Sequence, residues 1–167
     1  SSDRLLGLVD SILRGYELQQ HMLELNLEPI CPQLILEEVA HELEPHARKQ
    51  AQLIAIKNTR QRQTVLADKG CLHAVLFNLL DNAIKYSMPE CTIELEARIR
   101  SGHAQIAIKD YGQGVKKADL KRLFAQFGRI QRPVPQWATT TGLGLYIAKQ
   151  LTEAMNGTLE LARRKDG

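Results

Sequence analysis

The stretch Lys69–Ile108, KGCLHAVLFNLLDNAIKYSMPECTIELEARIRSGHAQIAI, carries the fold in a change of rhythm. Over Lys69–Tyr86 the apolar residues Leu72, Val75, Leu76, Leu79, Leu80 and Ala83 recur at helical spacing, which predicts a long helix with one buried face. Met88-Pro89 ends that period. Beyond it, Thr92–Ile99 and Ala104–Ile108 alternate apolar and polar residues on either side of Ser101-Gly102, which predicts an antiparallel hairpin. A helix and a hairpin that each need an apolar partner surface make a two-layer α/β sandwich the expected architecture.

Working outward, Leu6, Val9, Leu13, Tyr16 and Leu23 form a narrow helical stripe near the N-terminus. Such a seam suits a coiled coil or bundle, with an ordinary surface helix as the alternative. Leu25–Ile30 alternates and reads as a short strand, and Pro32 opens a helix to about Lys49 with a kink expected at Pro45. Leu53–Ile56 and Thr64–Ala67 read as a strand pair joined by the polar turn Lys57–Gln63. Downstream, a short helix is expected over Lys117–Phe124 and a helix over Gly142–Met155, stopped by Asn156-Gly157. A last strand is expected over Thr158–Ala162. The long irregular stretch Ala125–Thr141, with Pro133 and Pro135, argues for a functional loop.

Composition sets the outer bounds. A chain of 167 residues with 44% apolar and 25% charged residues is long enough for one globular domain with a helical arm, and excludes disordered or low-complexity classes. A net charge of +3 is too small to argue for nucleic acid. No apolar run reaches the ~20 residues of a membrane helix, and Ser1-Ser2-Asp3-Arg4 lacks a signal core, so no membrane contact is expected. Cys31, Cys71 and Cys91 form no Cys-x-x-Cys pair, which fits a reducing cytosol, and His41-Glu42 followed by His46 misses the zinc spacing.

Three constellations carry chemistry. Asn78, Asn82 and Lys85 lie at i, i+4 and i+7, so two carboxamides and an ammonium share one stripe of the helix. Asn oxygens suit a hydrated magnesium ion and Lys85 suits phosphate, with a solvated helix face as the plainer alternative. Asp110-Tyr111-Gly112-Gln113-Gly114 leaves a strand end, where a carboxylate can accept from an exocyclic amino group and two glycines admit a planar ligand; a plain turn is the alternative. Thr140-Thr141-Gly142-Leu143-Gly144-Leu145 opens a helix, whose first amides and dipole suit phosphate oxygens. Dinucleotide-binding, Walker and eukaryotic protein-kinase signatures are absent from the sequence.

In this order the motifs resemble the ATP-binding catalytic domain of bacterial sensor histidine kinases, in the superfamily that also holds DNA gyrase, mismatch-repair ATPases and a large heat-shock chaperone. Asn78–Ser87 looks like the N box, Asp110–Gly114 the G1 box, Phe124–Arg129 the F box and Gly142–Leu145 the G2 box. The resemblance implies a Bergerat-type fold, a mixed sheet covered on one face by helices, with ATP and Mg2+ as cofactors. It implies that Asn82 ligates magnesium with Asn78 beside it, that Lys85 and Tyr86 lie near the phosphates and ribose, and that Asp110 binds the adenine amino group. Gly112 and Gly114 would let the ring approach, while Phe127, Arg129, Thr141, Gly142, Leu143, Gly144 and Leu145 would complete the cofactor site. Ala125–Thr141 would be the lid, stiffened by Trp137, two prolines, and Thr139 and Thr140 where the family commonly has glycines. Across residues 109 to 132, seven Lys or Arg against two Asp flank the site, with Arg129 and Arg132 as phosphate contacts.

Hydrolysing relatives place a glutamate four residues before the metal-binding Asn, and Asn78 in that position cannot act as a base. The resemblance therefore implies a protein-histidine kinase that presents the γ-phosphate to a histidine on a separate dimerising hairpin, with a homodimeric full protein, a response-regulator partner and a cytoplasmic location. Residues 1–25 would end the second dimerisation helix, and 26–167 would be the catalytic domain without its last strand. A nucleotide-holding scaffold without phosphotransfer is the alternative from another class. His41-Glu42-Leu43-Glu44-Pro45 looks like the family's phosphoacceptor box, but Glu44 replaces its basic residue and Pro45 comes one place early. The chain by itself is thus expected to bind ATP and magnesium without autophosphorylating.

Overall fold

The computed structural model describes residues 24–57, 62–112, 114–125 and 142–162, together with Leu6, Val9, Asp10, Leu13 and Glu17. Those five are helical, and Leu6, Val9 and Leu13 are exposed. Tyr16 and Leu23 of the expected stripe lie outside the described residues.

The elements follow in the order β1 (Leu27–Ile30), α1 (Pro32–Arg48), β2 (Leu53–Lys57), β3 (Val65–Asp68), α2 (Lys69–Tyr86), β4 (Thr92–Arg100), β5 (His103–Lys109), α3 (Leu120–Leu123) and α4 (Gly144–Ala154). Pro32 occupies the first turn of α1, where its missing N–H costs nothing. Pro45 falls in the last turn, and the helix continues past it to Arg48. Asp68 caps α2: its Oδ1 accepts from the Cys71 amide at 2.9 Å and its Oδ2 from the Asn26 amide at 2.9 Å. Partial burial alone would raise its pKa, but these backbone hydrogen bonds hold the carboxyl below its ordinary value. Lys117–Asp119 is a 3-10 turn leading into α3, so the expected short helix is split.

β2 pairs parallel to β4, and β4 pairs antiparallel to β5, giving a mixed three-stranded sheet. The expected pairing of the segments around Leu53 and Ala67 is therefore corrected: β3 pairs antiparallel with β1 in a separate ribbon. Register explains the choice. Parallel pairing sets Ile54 beside Ile93 and Ile56 beside Leu95, all on the helix-covered face. In the ribbon, Ile30 opposite Val65 and Ala67 opposite Glu28 bury Ile30 and Ala67. Thr158–Ala162 makes no ladder among the described residues, a second correction. Leu159 packs partly against the helices there, while Thr158, Glu160, Leu161 and Ala162 are exposed. Alternation gave that segment an apolar face, but no described strand supplies the hydrogen bonds that would make it a strand.

Helices cover one face of the sheet. The larger core joins Leu36, Val39 and Leu43 of α1, Leu76, Leu80 and Ile84 of α2, and Ile93 and Leu95 of β4. A smaller core joins Cys71 and Val75 of α2 to Leu143, Ile147, Ala148 and Leu151 at α4. α2 belongs to both, which is why it can present polar residues between them.

Candidate functional site

Asn78, Asn82, Lys85 and Tyr86 are all half-buried along α2. Asn78 faces the start of α4, where a methyl added to Gly144 would lie 3.5 Å from its Oδ1. Lys85 Nζ lies 2.6 Å from Asp81 Oδ2, both side chains being mostly buried. Asp81, passed over in the sequence reading, therefore holds the lysine that was expected to meet phosphate. Its signal was the i, i+4 spacing to Lys85.

The end of α2 meets the strand end of β5. Ser87 forms an antiparallel bridge with Gly112, and a Cβ on Gly112 would come 2.9 Å from the Tyr86 carbonyl oxygen, so no larger residue fits without a shift. The Gly112 amide donates to Asp110 Oδ1 at 3.0 Å, fixing a half-buried carboxylate at the mouth of the sheet. The Cys91 thiol is pushed up in pKa, first by its own burial and further by the Asp110 charge. Gly114 follows with φ 71°.

Gly142 has φ 73°, the left-handed turn that aims Leu143 into the smaller core and starts α4 two residues later than expected. No side chain among the described residues caps α4, and no acidic residue stands in its first turn. A helix start of this kind suits an anion through its first-turn amides and the helix dipole. Leu145 is half-buried beside them. At the other end of the intervening stretch, Lys149 Nζ sits 5.0 Å over the Phe124 ring. Phe127, Arg129, Arg132, Thr141 and the expected lid beyond Ala125 lie outside the described residues. So the structure gathers Tyr86, Asp110 and Gly112 at one contact and Asn78 and Gly144 at another, with Asn82 and Lys85 on the same helix.

Sequence reading also missed Gln50 and Gln52, whose side-chain amides reach the last carbonyls of α2. The signal for Gln52 was its parity with Ile54 and Ile56, a polar residue on the inward-facing register. No group of three His, Cys, Asp or Glu able to hold a metal occurs among the described residues. No described helix is long and apolar enough to cross a membrane.

Comparison with known proteins gives the arrangement a context. Residues 67–167 match the model of the histidine kinase-, DNA gyrase B- and HSP90-like ATPases. The sensor histidine kinase GacS of Pseudomonas protegens is 31% identical over 165 residues, covering 95% of this chain and 18% of GacS. The sensor protein KdpD of Mycobacterium tuberculosis is 42% identical over 96 residues, 56% of this chain and 11% of KdpD. Among solved structures, full-length ShkA in complex with AMPPNP superposes with a TM-score of 0.77 at 31% identity, covering 92% of this chain and 32% of that one. The Acinetobacter baumannii histidine kinase AdeS, at 24% identity, shares the fold with a TM-score of 0.78 over 98% of this chain and 74% of its own. The chain thus spans about a fifth of the length of GacS.

Proposed function

Because the chain belongs to the family of histidine kinase-, DNA gyrase B- and HSP90-like ATPases, we propose that it is the ATP-binding catalytic domain of a two-component sensor histidine kinase. One observation supports the reading: Tyr86 and Ser87, at the end of the helix that carries the polar stripe, meet Gly112 two residues beyond the Asp110 carboxylate. That Asp110 Oδ1 is engaged by the Gly112 amide leaves Oδ2 to accept from an adenine amino group. The start of α4, over Gly142, Leu143, Gly144 and Leu145, would turn its first-turn amides and dipole toward the phosphates. The donor set fits a hard cation: Asn82, with Asn78 one turn earlier, would hold magnesium, which supplies charge neutralisation on the phosphates. Lys85 would reach the nucleotide from its Asp81 pairing.

Asn78 is a carboxamide and cannot deprotonate water, which favours phosphotransfer over hydrolysis. In that transfer the γ-phosphoryl group leaves the β-phosphate oxygen, giving ADP, and bonds to an imidazole nitrogen. The imidazole belongs to a dimerisation hairpin of the homodimeric full protein, with residues 1–25 ending its second helix, and a response regulator takes the phosphoryl group onward. Calorimetry on Asp110→Asn tests the reading. ATP affinity is expected to fall about a hundredfold, as for loss of a charged acceptor in a partly buried site, with the melting temperature unchanged. Equal affinity in both proteins would refute the adenine contact.

A further inference from the structure

Two strained backbone positions mark a place that the nucleotide site does not itself explain. Ala51 (φ 55°) and Glu90 (φ 64°) both occupy the left-handed region without being glycine. Such residues persist where surrounding contacts over-determine them. Here the contacts join two connections to each other: the Glu90 amide donates to the Gln50 carbonyl at 3.1 Å, and the Leu53 amide to the Cys91 carbonyl at 3.0 Å.

Gln52 lies at the centre, 2% exposed. Its Nε2 lies 3.2 Å from the Ile84 carbonyl oxygen, 3.3 Å from that of Ser87 and 3.2 Å from that of Met88. Gln50 Nε2 donates to the same Ile84 oxygen at 3.0 Å. The last carbonyls of a helix have no partner within it, and here a buried amide supplies one. Among the described residues, Gln52 Oε1 is buried with no hydrogen-bond partner. Burying such a group is costly, and an apolar side chain would be the ordinary occupant of this inward register. What the amide holds is the turn where Tyr86 and Ser87 meet Gly112.

We propose that Gln52 is a positioning residue of the nucleotide site. By gathering the carbonyls of Ile84, Ser87 and Met88, it fixes the end of α2 against Gly112 and so sets the distance between Asp110 and the base. The inference rests on the nucleotide-binding role proposed above.

The test is Gln52→Leu in the whole chain, read by ATP affinity and by the amide resonances of the nucleotide-free protein. ATP affinity is expected to fall about tenfold. The amide resonances of Ser87 and Gly112 should move while those of Leu143 and Gly144 stay in place. Resonance shifts spread evenly over both groups would mean that Gln52 merely stabilises the fold, and would overturn the proposal. An unchanged Gly112 resonance or an unchanged ATP affinity would overturn it as well. Should Gln52→Leu fail to fold, Gln50→Ala, which removes only the companion bond to Ile84, decides with the same pattern at roughly threefold loss. Wild-type protein that binds no ATP would refute the nucleotide-binding role itself. Binding by wild type that the variants leave untouched would sink only the positioning role.

Discussion

The two ends of the candidate site are held by different means. Tyr86, Asp110 and Gly112 sit where α2 meets the sheet, backed by the larger core and by hydrogen bonds from Gln50, Gln52 and the Gly112 amide. Among the described residues, Gly142–Leu145 leads a helix that packs mainly on α2, through Cys71, Val75, Leu143, Ile147, Ala148 and Leu151, with Leu25 and Leu159 partly buried against the same core. The end proposed to bind the base is bolted to a sheet and keeps one geometry, whereas the end proposed to bind phosphate, held mainly by a helix–helix contact, can shift without unfolding the rest. The division suits the nucleotide site proposed above, which would recognise a rigid ring and accommodate a chain of phosphates.

The same truncation made in both cores should separate the two ends most clearly. Leu80 and Leu151 are both fully buried, Leu80 between α2 and the sheet and Leu151 between α4 and α2. Leu80→Ala is expected to cost about 4 kcal/mol in urea unfolding, because a sheet held by its ladder cannot collapse into the cavity. Leu151→Ala should cost nearer 2 kcal/mol, since α4 can settle toward α2. Equal losses would show that the smaller core is as rigid as the larger one.

A smaller effect is expected at Asp68, which ties β3 to the start of α2. Asp68→Ala should cost about 1 kcal/mol near neutral pH, as for loss of an N-cap. The sign of its pH dependence follows from the lowered pKa. The native carboxyl stays ionised below the ordinary 3.8, so its contribution is complete above that value and is lost as pH falls through the lower native value. The stability gap between wild type and variant should therefore close only in acid. A gap that persists at pH 2 would mean that the hydrogen bonds to Cys71 and Asn26 do not depend on charge.

How much of this was legible depended on whether the information was local. α2 was readable to the residue because its period and the Met88-Pro89 stop lie close together in the chain, and the β4–β5 hairpin around Ser101-Gly102 was readable to within a residue at the strand ends. The partner of β2 was not. Ile54 and Ile56 announce an apolar face, but alternation does not say which strand lies beside it, and a parallel neighbour beginning at Thr92 is far along the chain. In the site, Asp110 and Gly112 stood out because carboxylate and glycine are unusual at a strand end. Gln52 did not, because its meaning comes from carbonyls more than thirty residues away.

The smallest effect expected separates two helix ends of the same design. Beyond α1, the Gln52 amide reaches back to the Ala47 carbonyl at 3.0 Å and the Ala51 amide to Arg48 at 3.0 Å, with Ala51 in the left-handed conformation. Beyond α4, Gly157 bonds Thr152 at 2.9 Å and Asn156 bonds Glu153 at 2.9 Å, with Asn156 left-handed. Both are the glycine-favouring helix stop. Asn tolerates that conformation through its short polar side chain, and Ala does not. Ala51→Gly relieves roughly 1–2 kcal/mol of backbone strain and gives back about 0.5–1 kcal/mol of unfolded-state entropy, for a net gain of about 0.5 kcal/mol. In a chain of this size that is a melting-temperature rise of about 1–2 °C. Asn156→Gly, with less strain to relieve, should leave the melting temperature within about 1 °C of wild type. A drop at Ala51→Gly would mean that the alanine methyl contributes packing at the Gln52 turn that outweighs its strain, and the strain could then no longer be counted as a sign that the end proposed to bind the base is over-determined.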